Sequence, residues 1–233
     1  MRVLEAGESV YDSLFVSVDQ HEWLVDSPGY YSIQACMHLL DEDILSAPLQ
    51  IRVTPPRQRE EEYIAQDYFS EDVGRILTFD GSQVLTKAND ILREVVAQLP
   101  KSSAAIHAQV TLDLPRVTPY KLLNMVDAPE GSRYAIQEIN PVEAETEQLS
   151  KLLGDPKGTN DVAQALGHID YRYYAERLSE ALKQQDRAGK AQEVVQCMHD
   201  TLKDRGVKEK VLEEISETIN INVSVKKKVR RKN

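Results

Sequence analysis

The chain has 233 residues, of which 41% are hydrophobic and 28% charged, and its formal net charge is −10. This composition is that of an ordinary globular protein and argues against wholesale disorder. No apolar run approaches the ~18 residues of a membrane-spanning helix, and the first residues lack the basic and apolar regions of a signal peptide. We therefore expect a soluble protein without a membrane partner, and the sequence favours the cytoplasm.

The charge is unevenly distributed along the chain. Six basic residues lie within residues 226–233, and the remaining chain has 22 basic against 38 acidic residues, a net charge of −16. An acidic body repels nucleic-acid phosphates, whereas the tail attracts them. The tail has no interleaved aromatic residues to stack on bases, which favours a solvated, disordered tail over a nucleic-acid site.

Residues 1–56 predict a small antiparallel β-sheet. Apolar and polar residues alternate from Tyr31 to Leu39, which predicts a strand with one buried face. Acidic residues 41–43 predict a turn, and the alternation resumes over residues 49–54, so the two strands form a β-hairpin. The predicted apolar face consists of Tyr31, Ile33, Ala35, Met37, Ile51 and Val53.

Two earlier strands are predicted at residues 10–18 and 23–25, and the turn that follows them resembles a known fold family. Residues 26–33 resemble the corner before the penultimate strand of immunoglobulin-like and fibronectin type III-like sandwiches, and residues 4–9 resemble a turn of bacterial domains of this type. The resemblance implies that the Tyr31 hydroxyl bonds back to the turn backbone. It implies no inter-sheet disulfide, because Ile33 stands where antibody domains have a cysteine.

The predicted sheet is smaller than the family requires. A sandwich of this type has about seven strands, whereas four are predicted here. We therefore expect the apolar face to be incompletely covered by this chain. Either the helices cover that face, or the missing strands lie upstream in a larger bacterial protein, of which this chain would be the C-terminal part. The sequence favours the second alternative.

Beyond Pro56 the apolar period changes from 2 to about 3.6, which predicts helices. A first group lies at residues 60–69, 71–79, 85–99 and 102–112, with Ser70 and Ser102 or Ser103 as N-caps. A second group has four helices. The first spans residues 143–153, and the second runs from about residue 161 to a turn at residues 188–189. The third follows that turn and ends at Gly206, and the fourth spans residues 207–219.

The chain is thus predicted to be an α+β protein with segregated parts. These parts are a partial Ig-like β segment (1–56), a first helical region (57–125), an irregular linker or short strand (126–142), a second helical region (143–220) and a basic tail (221–233). Residues 166–182 resemble the first helix of a tetratricopeptide repeat, although no 34-residue repeat is visible. The resemblance implies helical hairpins that line a protein-binding groove.

No residue stands out as catalytic, cofactor-binding or metal-binding. Cys36 and Cys197 are expected to be free thiols. His168 and Asp170 are a pair of potential metal ligands close together in the sequence. On a helix their side chains would point about 200° apart, and a metal site there would also need a third ligand. No phosphate loop, dinucleotide fingerprint or nucleophile elbow is present in the sequence.

We therefore expect a non-enzymatic protein-interaction or scaffolding module that needs no cofactor. Its protein partner would bind the apolar face of the N-terminal sheet or the groove of the helical hairpins. One alternative is an enzyme with a site near His168 and Asp170. Another is nucleic-acid binding through the basic tail.

Deletion of residues 226–233 should leave folding intact, because like charges in a row repel each other and bury nothing. A chain that ends at Val225 should melt within ~5 °C of the full chain. A larger drop in the thermal midpoint would correspond to ~1 kcal/mol of lost contacts and would contradict this expectation.

Overall fold

The computed structural model describes residues 13–19, 22–40, 42–123, 134–213 and 215. It is an α+β protein in which short antiparallel strands precede the helices. The predictions for residues 4–9, for linker residues 126–133 and for the basic tail fall outside the described residues. The elements are β1 (Gly29–Ile33), β2 (Cys36–His38), β3 (Asp43–Leu45), β4 (Leu49–Val53), α1 (Arg59–Tyr68), α2 (Glu71–Thr78), α3 (Thr86–Gln98), α4 (Ser103–Asp113), β5 (Tyr120–Leu123), β6 (Tyr134–Gln137), α5 (Glu143–Gly154), α6 (Thr159–Gln184) and α7 (Ala188–Asp204).

The predicted hairpin is present, but it consists of two separate ladders. Strand β1 pairs antiparallel with β4, and β2 pairs antiparallel with β3. Between the ladders, the Gln34 side chain donates to the Ser46 carbonyl at 2.8 Å, and the Ala35 backbone N–H donates to Ser46 Oγ at 3.0 Å. One backbone bond, from the Ser46 N–H to the Ala35 carbonyl at 2.9 Å, accompanies these side-chain bonds, and the strand predicted from Tyr31 to Leu39 is divided.

The two strands predicted before this hairpin are wrong where the structure describes them. Residues 13–19 and 22–25 contain one isolated bridge, between Val18 and Trp23, and no strand. Beside this bridge, the Asp19 N–H donates to the Glu22 carbonyl at 3.0 Å. β-Branched and aromatic residues indicated strands here, but Val18 and Trp23 instead pack on the first helices, while Phe15 and Val16 are exposed.

Most of the predicted helices are confirmed within one to three residues, and the differences lie at their ends. The Ser102 hydroxyl accepts the Ala105 N–H at 3.0 Å, as expected of an N-cap. Ser70 precedes α2, but its side chain makes no capping bond. The turn expected at residues 188–189 lies earlier, because Asp186 takes the left-handed conformation (φ 59°) and α7 already begins at Ala188.

A strand pair between α4 and α5 was only partly anticipated. Residues 133–139 predicted a short strand or an extended linker, and the structure forms β6 within them. Its partner β5 was not predicted, because Pro115 and Pro119 indicated irregular chain. The two strands pair antiparallel with Tyr120 opposite Gln137.

Helix α4 is buried on more than one side. Its buried residues are Ala105, Ala108, Val110, Thr111 and Asp113, which do not lie on a single stripe of the helix. A helix that is apolar around most of its circumference is typical of a core position. Helix α4 therefore packs between the two helical groups.

Two hydrophobic clusters form the core, and α4 contributes to both. The first cluster is built on α1 to α4 and consists of Ile64, Val73, Ile76, Ala88, Leu92, Val95, Ala105 and Ala108. The second contains Val110 and Leu114, the buried side chains of α5, α6 and α7, and also Val211, Leu212 and Ile215. Within the described residues, no helix is long and apolar enough to cross a membrane.

Helix α6 contains one break in its helical geometry. Gly167 has φ 69° and ψ 179°, so two helical segments meet there. Residues in this region of conformational space are almost always glycine. After the break, α6 packs along α7, and Leu178 and Met198 are both fully buried in the same cluster.

Replacing Leu178 by alanine should lower the free energy of unfolding by about 2–5 kcal/mol, because it would leave a cavity between α6 and α7. Gln184→Ala is the matched control, since Gln184 lies on the same helix and is exposed. Urea denaturation of both variants gives the two values. A loss below about 0.5 kcal/mol for Leu178→Ala would contradict the packing of α6 on α7.

Candidate functional site

The turn that precedes the hairpin is fixed to the first helices by Trp23. Its indole N–H donates to the Ser70 carbonyl at 2.9 Å. The indole ring centroid lies 5.6 Å from that of Tyr68 and 5.0 Å from that of Phe69. Burial raises the pKa of Tyr68 to about 12. This aromatic cluster holds the chain at the point from which the hairpin extends.

Gly74 allows the turn to approach α2 closely. A Cβ atom at residue 74 would lie 3.0 Å from the Val18 methyl carbons and 3.2 Å from Trp23 Nε1. Contacts of this length are tighter than ordinary van der Waals contacts, so a larger residue would push the turn away. The glycine therefore serves a packing requirement.

The corner between this turn and β1 is closed by Tyr31. Its hydroxyl donates to the Ser27 carbonyl at 2.7 Å, which is the bond that the sequence predicted for this tyrosine. The bond is local, since it spans four residues, and it is also found outside complete sandwiches. Its consequence here is that the direction of β1 is tied to the turn that Trp23 anchors.

One face of the β1–β4 ladder is apolar and poorly covered. Residues that are directly opposite share a face, so the pairs Tyr31–Ile51 and Ile33–Leu49 lie together with Val53. Four of these side chains are half-buried, and Leu49 is 60% exposed. None of the residues in β1 to β4 is buried, which agrees with the expectation of an incompletely covered sheet.

The opposite face of the same ladder is more polar. It carries the pairs Tyr30–Arg52 and Ser32–Gln50. The Arg52 guanidinium lies 5.5 Å from the centroid of the Tyr30 ring, and Gln50 donates to Ser32 Oγ at 2.9 Å. Side chains on this face therefore interact with one another across the strands, whereas those on the apolar face remain partly exposed.

The β2–β3 ladder brings together three side chains that the sequence did not single out. Cys36, His38 and Asp43 place their sulfur, nitrogen and oxygen atoms within 4.8 Å of one another. His38 Nδ1 lies 2.8 Å from Asp43 Oδ1 and 3.9 Å from Cys36 Sγ. The available signal was the spacing, because residues two apart on a strand point to the same side.

The pair His168 and Asp170 does not gain a third ligand. Both residues lie on α6 after its break, and in the described part of the chain they belong to no group of three potential ligands. Asp170 instead accepts a hydrogen bond from Ser13 Oγ at 3.0 Å, which ties the start of the described chain to α6.

The three neighbouring tyrosines of α6 divide between the core and the surface. Tyr171 is fully buried, and its hydroxyl donates to the Leu153 carbonyl at 2.6 Å. Tyr174 donates to Asp80 Oδ1 at 2.6 Å, while Tyr173 is largely exposed beneath the Arg177 guanidinium. Burial raises the pKa of Asp80, and the hydrogen bond from Tyr174 partly offsets that rise.

A second buried carboxyl lies at the end of α4. Asp113 is 4% exposed and accepts a hydrogen bond from Gln109 Nε2 at 2.6 Å. Burial raises its pKa from 3.8 to about 6, against the lowering effect of that hydrogen bond. Between these two pH values the folded chain retains the proton, whereas the unfolded chain releases it.

Asp113→Asn should therefore remove a pH-dependent loss of stability. Because the folded state binds more protons than the unfolded state, the contribution of Asp113 to stability falls as pH rises from about 4 to about 6. The stability of the variant relative to the natural chain should increase by about 2–3 kcal/mol between pH 4 and pH 7. Urea denaturation at both pH values measures this difference, and an equal difference at both would contradict it.

Comparisons with known proteins provide no functional assignment. The chain matches no protein-family model, no curated protein and no solved structure.

Proposed function

We propose that the chain is a protein-interaction module in which the β1–β4 hairpin is the binding element and the helices support it. The observation that carries the proposal is the apolar face of the β1–β4 ladder, on which Leu49 is exposed and the other large side chains are only half-buried. Soluble proteins rarely leave a contiguous apolar surface without a use.

The expected partner is a second polypeptide that lays an apolar sheet face or strand on this surface. An isolated two-stranded hairpin is marginally stable in water, and further strands or a packed layer stabilise it. Helices α1 and α2 hold the turn before β1, but their contacts leave β1 to β4 without one buried residue. The partner would complete the layer that this chain lacks.

Two resemblances support this proposal. The resemblance of residues 26–33 to the corner of an immunoglobulin-like sandwich implies a second sheet over the apolar face. The resemblance of residues 166–182 to a tetratricopeptide helix implies a groove between helices as a further binding surface. No group of three potential ligands includes His168 and Asp170 within the described residues, and the enzyme hypothesis stays a prediction from the sequence. Nucleic-acid binding through residues 226–232 stays a prediction from the sequence.

The proposal predicts that the purified chain self-associates through the apolar face or binds a hydrophobic dye there. Leu49→Ser should weaken association about tenfold or more, because a buried leucine contact contributes ~1.5–3 kcal/mol. Its effect on dye fluorescence should have the same direction. Light scattering and fluorescence titration of the full chain measure both quantities.

Tyr30→Ser is the matched control, since Tyr30 lies on the opposite face of the same ladder and is 77% exposed. It removes at least as much exposed apolar surface but should change neither quantity. A monomer that binds no dye would refute the proposal. Equal effects of the two variants would also refute it, because they would indicate general stickiness of the hairpin.

A further inference from the structure

We infer that Cys36, His38 and Asp43 form a binding site for one zinc-class divalent cation at the tip of the hairpin. The site uses three protein ligands and leaves the fourth position to water or to an incoming ligand. It does not depend on the proposed interaction function, because it lies in the β2–β3 ladder and uses other residues.

The three side chains converge for reasons of strand geometry. Residues 36 and 38 lie two apart on β2, so their side chains point to the same side. Asp43 is the registered partner of His38 on β3, and partners in a ladder share a face. The ligand set is therefore fixed by the pairing of the two strands.

The distances between the ligand atoms suit a cation of this size. Metal–ligand bonds of ~2.0–2.3 Å in a tetrahedron separate ligand atoms by roughly 3.3–3.6 Å. The observed separations are 3.9 Å from Cys36 Sγ to His38 Nδ1 and 2.8 Å from His38 Nδ1 to Asp43 Oδ1. Small side-chain rotations that move the ligand atoms by a few tenths of an ångström bring both separations into that range. All three residues are exposed, so these rotations meet little steric hindrance.

The chemistry of the ligands selects the class of metal. A thiolate, an imidazole nitrogen and a carboxylate oxygen form a donor set that suits zinc. Calcium and magnesium prefer sites built entirely of oxygen ligands, so they match this set poorly. When the metal binds, the Cys36 thiol would lose its proton. The metal would bind His38 Nδ1, the atom that faces the Asp43 carboxylate in this structure.

The ladder itself gives the cation a structural role. Strands β2 and β3 form three residue pairs, and every residue in them is exposed. Such a ladder gains little from burial, and two-stranded pairings of this kind are marginal in water. A cation held by both strands would join them directly and would stabilise the end of the hairpin.

The chain also contains an internal comparison for this spacing. Cys197 and His199 are likewise two residues apart, but they lie on α7. Side chains at that spacing on a helix point away from each other, and neither residue belongs to a group of three potential ligands in the described chain. Cys197 is therefore the appropriate control for thiol chemistry elsewhere in the protein.

Cobalt titration of the full chain under reducing conditions tests the inference. Co²⁺ at Cys36 should give thiolate-to-metal absorption and the visible bands of a tetrahedral ion, with one equivalent bound per chain. Zn²⁺ should displace it. Cys36→Ser and His38→Gln should abolish the thiolate band or weaken binding at least tenfold, about 1.4 kcal/mol. Cys197→Ser should bind like the natural chain.

Three results would overturn the inference. The first is the absence of a thiolate band in the natural chain, and the second is its loss in Cys197→Ser but not in Cys36→Ser. The third is one metal per two chains, which would mean that a single chain does not form the site. The variants at residues 36 and 38 change exposed positions, so equal thermal midpoints without metal should confirm that they fold.

Discussion

The arrangement of the helices depends on one constraint, which is the enclosure of α4, in which only Ser103 is exposed. Ala105 and Ala108 of α4 pack into the cluster of α1 to α3, and Val110 packs into the cluster of α5 to α7. Burial of an apolar helix is stabilised only when neighbours cover it on each apolar side. The two helical groups therefore meet along this helix.

The turn between α2 and α3 shows how tight that packing is. At Gly81, which has φ 113°, an added Cβ atom would lie 2.2 Å from Pro115 Cγ and 2.3 Å from the Thr111 carbonyl oxygen. Residues with a side chain rarely adopt this backbone conformation, and the space is too small for a Cβ atom. The neighbouring Asp80 accepts the Tyr174 hydroxyl, and Arg177 donates to the Thr118 hydroxyl and the Pro119 carbonyl at 2.7 Å. These polar contacts join α6 to the elements around α4.

The hairpin, in contrast to α4, is not buried by its neighbours. It is attached to the helices through Trp23 and its neighbours, and its strands contribute nothing to either hydrophobic cluster. An element that buries so little contributes little to the stability of the whole chain, so its sequence is free to serve binding. The binding roles that we propose belong to the apolar face of the β1–β4 ladder and to the side chains of Cys36, His38 and Asp43.

The sequence by itself determined the hairpin and most of the helices. Alternation from Tyr31 predicted the hairpin and its apolar face, and the 3.6-residue period predicted the helices, because both patterns are set by backbone geometry. The resemblance of residues 26–33 to an immunoglobulin-like corner implied the bond from Tyr31 to the preceding turn, and that contact spans only four residues.

Only the tertiary structure decided which of these elements meet. Residues 13–25 have strand-like composition, yet Trp23 finds its partners on α1 and α2, which propensity cannot show. The strand β5 depends on pairing with β6, and the two-sided burial of α4 depends on both helical groups. The convergence of Cys36, His38 and Asp43 depends on the register of β2 against β3. Contacts between residues distant in sequence, or across a turn whose register a pattern does not fix, arise only when the chain has folded.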